Sequence, residues 1–294
     1  MFARPALYAL CLAALVAVAS SLPATAQTTP AAGRAGELLR RQESERREAI
    51  NWFSKRGQKD AIPALIQAMR YSRDNRAELL DALETLAGEK PDRTWHAWML
   101  WQERNDGIRP FAGFDAFKAA LYSHIDPDFL LFLHPGVRHD IRLEEIVWGG
   151  VIKDGIPPLT NPKLIAPGKA DYLTDDELVF GVSINGDARA YPLRILDWHE
   201  MFNDVIGGVP VSLAYCTLCG SGILFETQVE GREKPFVFGS SGFLYRSNKL
   251  MYDTETLSLW NQFTGRPVPG KLTGCGIGLR RSPAARATWA VSVN

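Results

Sequence analysis

The spacing of apolar residues changes near residue 140, and this change limits the folds that the chain can adopt. Before it, two runs place apolar side chains at i, i+3, i+4 and i+7, the period of one helix face. These runs are Ile62, Leu65, Ile66 and Met69, and Leu79, Leu80, Leu83 and Leu86. After it, short β-forming runs alternate with Gly, Pro and Asn turns. The sequence therefore predicts a small all-α domain over residues 37–139 and an α+β domain over residues 140–294.

The helical part pairs helices through a short turn, as in one HEAT-like unit, although a solenoid usually needs three or more repeats. A third helix is expected where Trp95, Trp98 and Met99 share one face. We interpret these apolar stripes as core. Residues 27–36 begin with a polar stretch rich in Ala, Pro and Gly, and we predict a flexible leader there.

The sequence after residue 140 predicts β-hairpins around one helix. A strand over 178–184 leads into Asn185-Gly186, the favoured two-residue hairpin turn, because both positions need positive φ. Pro192 then suits the first turn of a helix. Strands are expected over 209–215 and 223–226. The prediction is a mostly antiparallel domain, either a small barrel or a sheet with one or two helices.

The chain begins like a secretory signal. A short basic head is followed by an apolar run of about 14 residues, too short to span a bilayer, and by Ala24-Thr25-Ala26. We expect cleavage after Ala26 and a periplasmic or secreted protein without a transmembrane segment. The 33 basic and 33 acidic residues balance, so no nucleic-acid partner is predicted.

Several motifs follow one another in order along the second part. They are Arg189-Ala190-Tyr191-Pro192-Leu193, Trp198-His199-Glu200, the run from Tyr215 to Gly222, the run from Gly239 to Asp253, and Leu259-Trp260-Asn261-Gln262. Over about residues 154–274 the chain resembles the bacterial family catalogued as domain of unknown function 3179. The resemblance implies an exported or membrane-attached protein and supplies no reaction.

The chain departs from the pattern of that family at three places. Thr217 stands where the family usually has proline, and members often carry Thr in place of Cys219. Beyond Gly274 the expected ending fades, so the resemblance gives Cys275 no inherited role.

The cysteines mark the candidate site. Signal cleavage removes Cys11 and leaves Cys216, Cys219 and Cys275. In an oxidising compartment Cys216 and Cys219 can form a disulfide. Closing so short a loop stabilises a fold only modestly, which favours a reversible bond and thiol–disulfide exchange. Thioredoxin-like proteins follow the motif with a helix, whereas a strand is expected here.

Metal binding is a second interpretation. Two thiolates form half of a tetrahedral site, and no second Cys-x-x-Cys is present. His199 and Met251 are the available partners, and a set of Cys, His and Met would suit copper. The alternatives are a hydrogen-bonded histidine at a helix end and a methionine in the core.

In a third interpretation the cysteines only lock a loop, and the protein is a non-catalytic binding module. Arg246, Asn248, Asp253 and Trp260 would then shape a ligand pocket beside the Gly239–Gly242 loop. The helical domain would offer a surface to a protein partner. Gly-x-Ser-x-Gly, His-Glu-x-x-His, a phosphate-binding glycine loop and Cys-x-x-Cys-His do not occur in the sequence.

Overall fold

The computed structural model describes residues 29–292. The predicted signal segment and its cleavage position lie outside these residues. Within them, the chain divides into a helical unit (residues 29–137 with Arg142–Ile146) and a β-rich unit (Arg138–Ile141 with residues 147–292). The domain boundary predicted at residue 140 lies in Arg138–Ile141, the first segment in which the chain passes into the β-rich unit.

The described part of the helical unit contains six α-helices. They are α1 (Pro30–Glu37), α2 (Glu43–Arg56), α3 (Ile62–Tyr71), α4 (Arg76–Ala87), α5 (Trp95–Arg104) and α6 (Phe114–Ser123). Helices α2 and α4 end at Gly57 and Gly88, both left-handed, which is the usual way to close a helix. Thr94 caps α5 by accepting a hydrogen bond from the Ala97 amide.

Helix α1 corrects the prediction of a flexible leader over 27–36. Thr29 accepts a hydrogen bond from the Ala32 amide, and Pro30 occupies the first helical position, where its missing N–H costs nothing. Ala31 and Ala35 lie one turn apart and are both buried. Composition alone suggested a linker, whereas the cap and the small-residue face favour a helix.

The core of the helical unit surrounds a buried lysine. Lys118 on α6 is fully buried, and its ammonium donates hydrogen bonds to Gln67 Oε1 (3.2 Å), the Tyr122 hydroxyl (3.0 Å) and the Ile146 carbonyl. Burial holds the pKa of Lys118 well below its usual range, with a smaller opposing effect from Glu144. A positive charge on Lys118 is therefore disfavoured.

The β-rich unit contains thirteen strands among the described residues. They are β1 (Ile146–Trp148), β2 (Leu159–Thr160), β3 (Leu178–Ile184), β4 (Asp187–Pro192), β5 (Met201–Ile206), β6 (Val209–Cys216), β7 (Ser221–Glu226), β8 (Phe238–Tyr245), β9 (Asn248–Asp253), β10 (Leu259–Asn261), β11 (Arg266–Pro267), β12 (Arg280–Ser282) and β13 (Ala285–Thr288). Helix α7 (Leu193–His199) connects β4 to β5, and α8 (Trp289–Ser292) follows β13.

These strands form three open sheets with the orders β1-β8-β9-β10-β11, β12-β7-β6-β5-β2 and β13-β3-β4. The pairs within β5-β6-β7-β12, within β8-β9-β10-β11 and within β4-β3-β13 are antiparallel, and β2 with β5 is parallel. The fold is α+β with a helical N-terminal region, as the sequence predicts. Of the two forms expected for the β part, the open sheet is the one present, because no sheet closes into a barrel.

The segment beyond Gly274 is part of these sheets. Strand β12 pairs with β7, with Arg281 opposite Phe225, and β13 pairs with β3, with Arg286 opposite Phe180. The segment after Gly274 therefore supplies one edge strand to each of two sheets.

The side chain of Asn203 links two of the sheets. Its Nδ2 donates to the Phe238 carbonyl (2.8 Å), and its Oδ1 accepts from the Phe238 amide (2.9 Å). Tyr191 stacks on Phe202 with ring centroids 3.8 Å apart in one core cluster, and Trp260 is fully buried in another. Along residues 29–292, the helices are too short or too polar to cross a membrane.

Candidate functional site

The Cys-x-x-Cys motif forms the tip of the β6–β7 hairpin. Cys216 is the last residue of β6 and pairs with Ser221, the first residue of β7. The Cys219 amide donates to the Cys216 carbonyl (3.3 Å), which closes a turn between the two cysteines. Gly220 follows with φ of 62°, a conformation in which glycine is favoured because it lacks Cβ. The turn holds both thiols on one side of the loop.

The two sulfur atoms are neighbours without being bonded. Cys216 Sγ donates a hydrogen bond to Cys219 Sγ at 2.8 Å, whereas a disulfide bond is about 2.05 Å long. Cys216 is only 3% exposed, and Cys219 is exposed. The pair is therefore a dithiol with one buried and one accessible sulfur.

A second hairpin tip meets the dithiol. Strands β8 and β9 are joined by Arg246 and Ser247, whose φ angles are 46° and 64°, with Tyr245 opposite Asn248. This is the positive-φ, two-residue turn that matches strand twist, formed here without glycine at a cost in backbone strain. The Ser247 carbonyl accepts a hydrogen bond from Cys219 Sγ (2.9 Å). The strained turn thus fixes the accessible thiol.

An ion pair lies on the other side of the motif. Glu200 ends α7 in the left-handed conformation (φ 53°). Its Oε1 accepts from Thr217 Oγ1 (2.9 Å) and its Oε2 from Lys249 Nζ (3.1 Å). Thr217 therefore connects the Cys-x-x-Cys turn to Glu200.

Lys249 is buried beneath this arrangement, with its side chain 4% exposed. Burial lowers the pKa of Lys249, and this effect is opposed by Glu200 first and then by Cys216 and Asp154. A positive charge on Lys249 is therefore favoured by Glu200 and by negative charge on Cys216. Lys249 and its pairing with Glu200 were not predicted from the sequence, because 49 residues separate the two and only the fold brings them together.

The accessible thiol holds its proton strongly. Burial, the hydrogen bond and charge of Cys216, and the charge of Glu200 raise the pKa of the Cys219 thiol to about 12. Because the two thiols interact, a negative charge on one disfavours ionisation of the other. Cys219 therefore remains protonated at neutral pH in the reduced pair.

The proposed metal partners have other contacts. His199 Nδ1 lies 2.8 Å from the Pro157 carbonyl, so this nitrogen carries a hydrogen and donates it. Met251 is fully buried in a core cluster with Phe238 and Trp260. Across residues 29–292, His, Cys, Asp and Glu side chains do not form a group of three or more that could hold a metal ion.

The four residues predicted to shape a ligand pocket occupy opposite ends of one hairpin. Arg246 and Asn248 lie at the β8–β9 turn, whereas Asp253 lies at the far end of β9, paired with Phe238. At roughly 3.3 Å per residue, the strand separates Asn248 from Asp253 by about 17 Å. Asp253 is fully buried and accepts a hydrogen bond from Trp260 Nε1 (2.9 Å). The structure therefore joins these residues in two separate pairs.

The prediction of a ligand-cradling loop over Gly239–Gly242 is wrong, because this segment is part of strand β8. Its backbone groups pair with β9, where Gly239 is opposite Tyr252 and Ser240 opposite Met251. A β-bulge lies between Ser240 and Leu244. The small residues allow close approach of Tyr252, since a Cβ at position 239 would lie 2.5 Å from its ring.

The fold and the site define a class: α+β proteins with a helical N-terminal unit, an open mixed β-sheet unit and a dithiol at a hairpin tip. The family model described as protein of unknown function (DUF3179) matches residues 153–292, so this part of the β-rich unit belongs to that family. The match extends past Gly274 and includes β12 and β13. No curated protein and no solved structure matches the chain.

Proposed function

We propose that the protein is exported and that Cys216 and Cys219 form a reversible thiol–disulfide exchange site. The observation that carries the proposal is the 2.8 Å approach of an accessible and a buried sulfur above a buried Lys–Glu pair. Cys219 is the sulfur that an incoming thiolate can reach, and Cys216 is the sulfur whose negative charge interacts favourably with Lys249. Export is supported by the sequence of residues 1–26 and would place the dithiol where disulfides persist.

The two sulfurs have different roles in this proposal. In the oxidised state a substrate thiolate attacks Cys219 Sγ, the sulfur that solvent reaches. The Cys216–Cys219 bond breaks, and its electron pair leaves with Cys216, which takes a proton from solvent after the exchange. A second substrate thiolate attacks the substrate sulfur of the mixed disulfide and releases Cys219, which takes a proton from solvent. The substrate dithiol becomes a disulfide, and the protein gains two electrons and two protons.

Lys249 and Glu200 affect the rate of this exchange. Cys216 leaves as an anion, and negative charge on Cys216 interacts favourably with Lys249. A stabilised leaving thiolate departs faster. Glu200 favours the charged form of Lys249. It also accepts a hydrogen bond from Thr217, which connects the Lys249–Glu200 ion pair to the Cys-x-x-Cys turn. Reoxidation of the dithiol requires an external disulfide, for which oxidised glutathione is a suitable probe.

Exchange with glutathione tests the proposal. The oxidised full chain is mixed with reduced glutathione, quenched with acid and digested, and the mixed disulfide is located by mass spectrometry. We expect glutathione on Cys219, with Cys275→Ser behaving like the unmodified protein and Cys219→Ser showing no adduct at this motif. Glutathione attached only to Cys216, or no adduct in the unmodified protein, contradicts the proposal.

The other interpretations make different predictions for the same protein. A copper site has less support, because Met251 is buried in a core cluster and the described His, Cys, Asp and Glu side chains form no group of three that could hold a metal ion. It predicts stoichiometric Cu(I) that is lost in Cys216→Ser. A binding module with a structural disulfide predicts a Cys216–Cys219 bond that resists glutathione. Either result would contradict thiol–disulfide exchange as the role of the Cys-x-x-Cys motif.

A further inference from the structure

The helical unit contains a cavity of about 420 Å³ that is separate from the dithiol. Its wall includes the buried side chains of Leu38, Ala68 and Leu121, together with Leu39 and Ile125. Small-molecule sites are mostly apolar concavities of about 300–1,000 Å³ with a few placed polar groups. The size and the wall of this cavity fit that description.

Three arginines give the cavity a positive rim. Arg40, Arg46 and Arg73 line it together with one acid, Asp74, so the formal charge is 3 − 1 = +2 with His124 neutral. Arg46 is held in place: it donates to Asn75 Oδ1 (2.9 Å) and to the Arg40 carbonyl (2.9 Å), and it pairs with Asp74 (3.1 Å).

The other two guanidinium groups are available. Within residues 29–292, Arg40 and Arg73 make no side-chain ion pair or hydrogen bond, and both are exposed. Guanidinium groups bind carboxylates in a bidentate manner, so two such groups at one rim favour an anion.

A polar group below the rim also lacks a partner. Ser72 lines the cavity, and its Oγ is buried without a hydrogen-bond partner. An unsatisfied buried hydroxyl costs free energy that a bound polar group would recover. Apart from Tyr71 and His124, the remaining wall of the cavity is apolar, so a ligand that fits it combines a polar or charged end with an apolar body.

From the apolar wall, the two unpaired guanidinium groups and the unsatisfied hydroxyl, we infer that this cavity binds a small amphipathic carboxylate. The volume accommodates an alkyl chain of roughly ten carbons. The carboxylate contacts Arg40 and Arg73 at the rim, and the alkyl chain packs against Leu38, Ala68 and Leu121. This ligand class is independent of the thiol exchange proposed above.

Titration calorimetry of the full chain with decanoate, decan-1-ol and acetate tests this inference. We expect saturable one-to-one binding of decanoate, at least about tenfold weaker binding of decan-1-ol, and no saturable binding of acetate. The alcohol lacks the charge that the arginines recognise, and acetate lacks the chain that the apolar wall recognises.

Charge-reversal variants locate the ligand. Arg40→Glu and Arg73→Glu should each weaken decanoate about tenfold or more. Arg76→Glu is the matched control, because Arg76 is an exposed arginine on α4 outside the cavity, and its affinity should match the unmodified protein. Circular dichroism confirms that each variant is folded.

Three results would overturn the inference: decanoate that does not saturate, equal affinity for decan-1-ol and decanoate, or decanoate affinity that Arg40→Glu and Arg73→Glu leave unchanged. Loss of glutathione exchange in the Cys219 variant has no bearing on these measurements, so the two proposals are tested separately.

Discussion

Lys249 and Glu200 form an ion pair of 3.1 Å between Nζ and Oε2, and this pair lies against the turn that carries Cys216 and Cys219. The lysine is almost fully buried, so Glu200 supplies the charge that makes its burial tolerable. Glu200 also accepts a hydrogen bond from Thr217 inside the Cys-x-x-Cys motif. One carboxylate thus links the buried cation to the dithiol.

Removing the cation should destabilise the protein. Lys249→Met leaves Glu200 without its counter-charge, and we expect the free energy of unfolding to fall by about 2 kcal/mol, below the value for a fully buried pair because Glu200 is 16% exposed. Urea denaturation measures the change, with Lys271→Met at an exposed lysine as control. In the double variant Lys249→Met/Glu200→Gln the loss should be smaller than the sum of the single losses. Additive losses would show that the pair is not coupled.

The accessible thiol should react only at high pH. Because the pKa of Cys219 is raised to about 12, its iodoacetamide labelling in the reduced protein should increase through that pH and stay slow near pH 8. Peptide mass spectrometry across a pH series gives the midpoint. In Cys216→Ser the midpoint should fall, since the hydrogen bond and charge of Cys216 are lost while burial remains. A midpoint near 8.5 in the unmodified protein would contradict the described contacts.

The buried lysine of the helical unit should make stability depend on pH. The pKa of Lys118 is lowered by burial, so between its folded pKa and about 10.4 the unfolded chain binds more protons than the folded one. The free energy of unfolding therefore rises with pH in this window, by at most about 1.4 kcal/mol per pH unit from this group.

Lys118→Met removes that dependence. Unfolding followed by helical circular dichroism from pH 7 to 10 should show a shallower rise in this variant than in the unmodified protein. Lys55→Met, at an exposed lysine on α2, should keep the original slope. An equal slope in Lys118→Met would show that this amine does not titrate differently on unfolding.

Asp253 should contribute to the stability of the fold. It accepts hydrogen bonds from Trp260 Nε1 (2.9 Å), the Thr256 amide (2.6 Å) and Thr256 Oγ1 (2.7 Å), and it is fully buried. Asp253→Ala leaves these donors unsatisfied and should cost about 3 kcal/mol. Urea denaturation measures the loss, and Glu255→Ala at a neighbouring acid is the control. An unchanged midpoint would mean that the acceptor is dispensable.

Much of the local structure could be predicted from the sequence where short-range chemistry decides it. The strand before Asn185-Gly186 spans the predicted residues, and α7 begins directly after Pro192. The turn needs positive φ, and the proline has a fixed φ, so both signals act without distant contacts. His199 is the last residue of α7, which agrees with its interpretation as a histidine at a helix end.

Strand β8 and the ion pair could not be predicted in this way. Gly239 and Ser240 have low strand propensity, and their strand forms through pairing with β9 and close packing of Tyr252. Glu200 and Lys249 belong to different hairpins, so no spacing rule joins them. The strained Arg246–Ser247 turn lacks the glycine that would have signalled it.

A redox titration of the Cys216–Cys219 pair tests the central claim most directly. The Cys11→Ser/Cys275→Ser protein, which retains only this pair, is equilibrated in buffers of reduced and oxidised glutathione, and its thiols are trapped with acid and counted by mass spectrometry. Reversible exchange predicts a single two-electron transition between about −270 and −120 mV, the range of exchange-active dithiols. A pair that stays oxidised below about −300 mV, or stays reduced throughout, would contradict it.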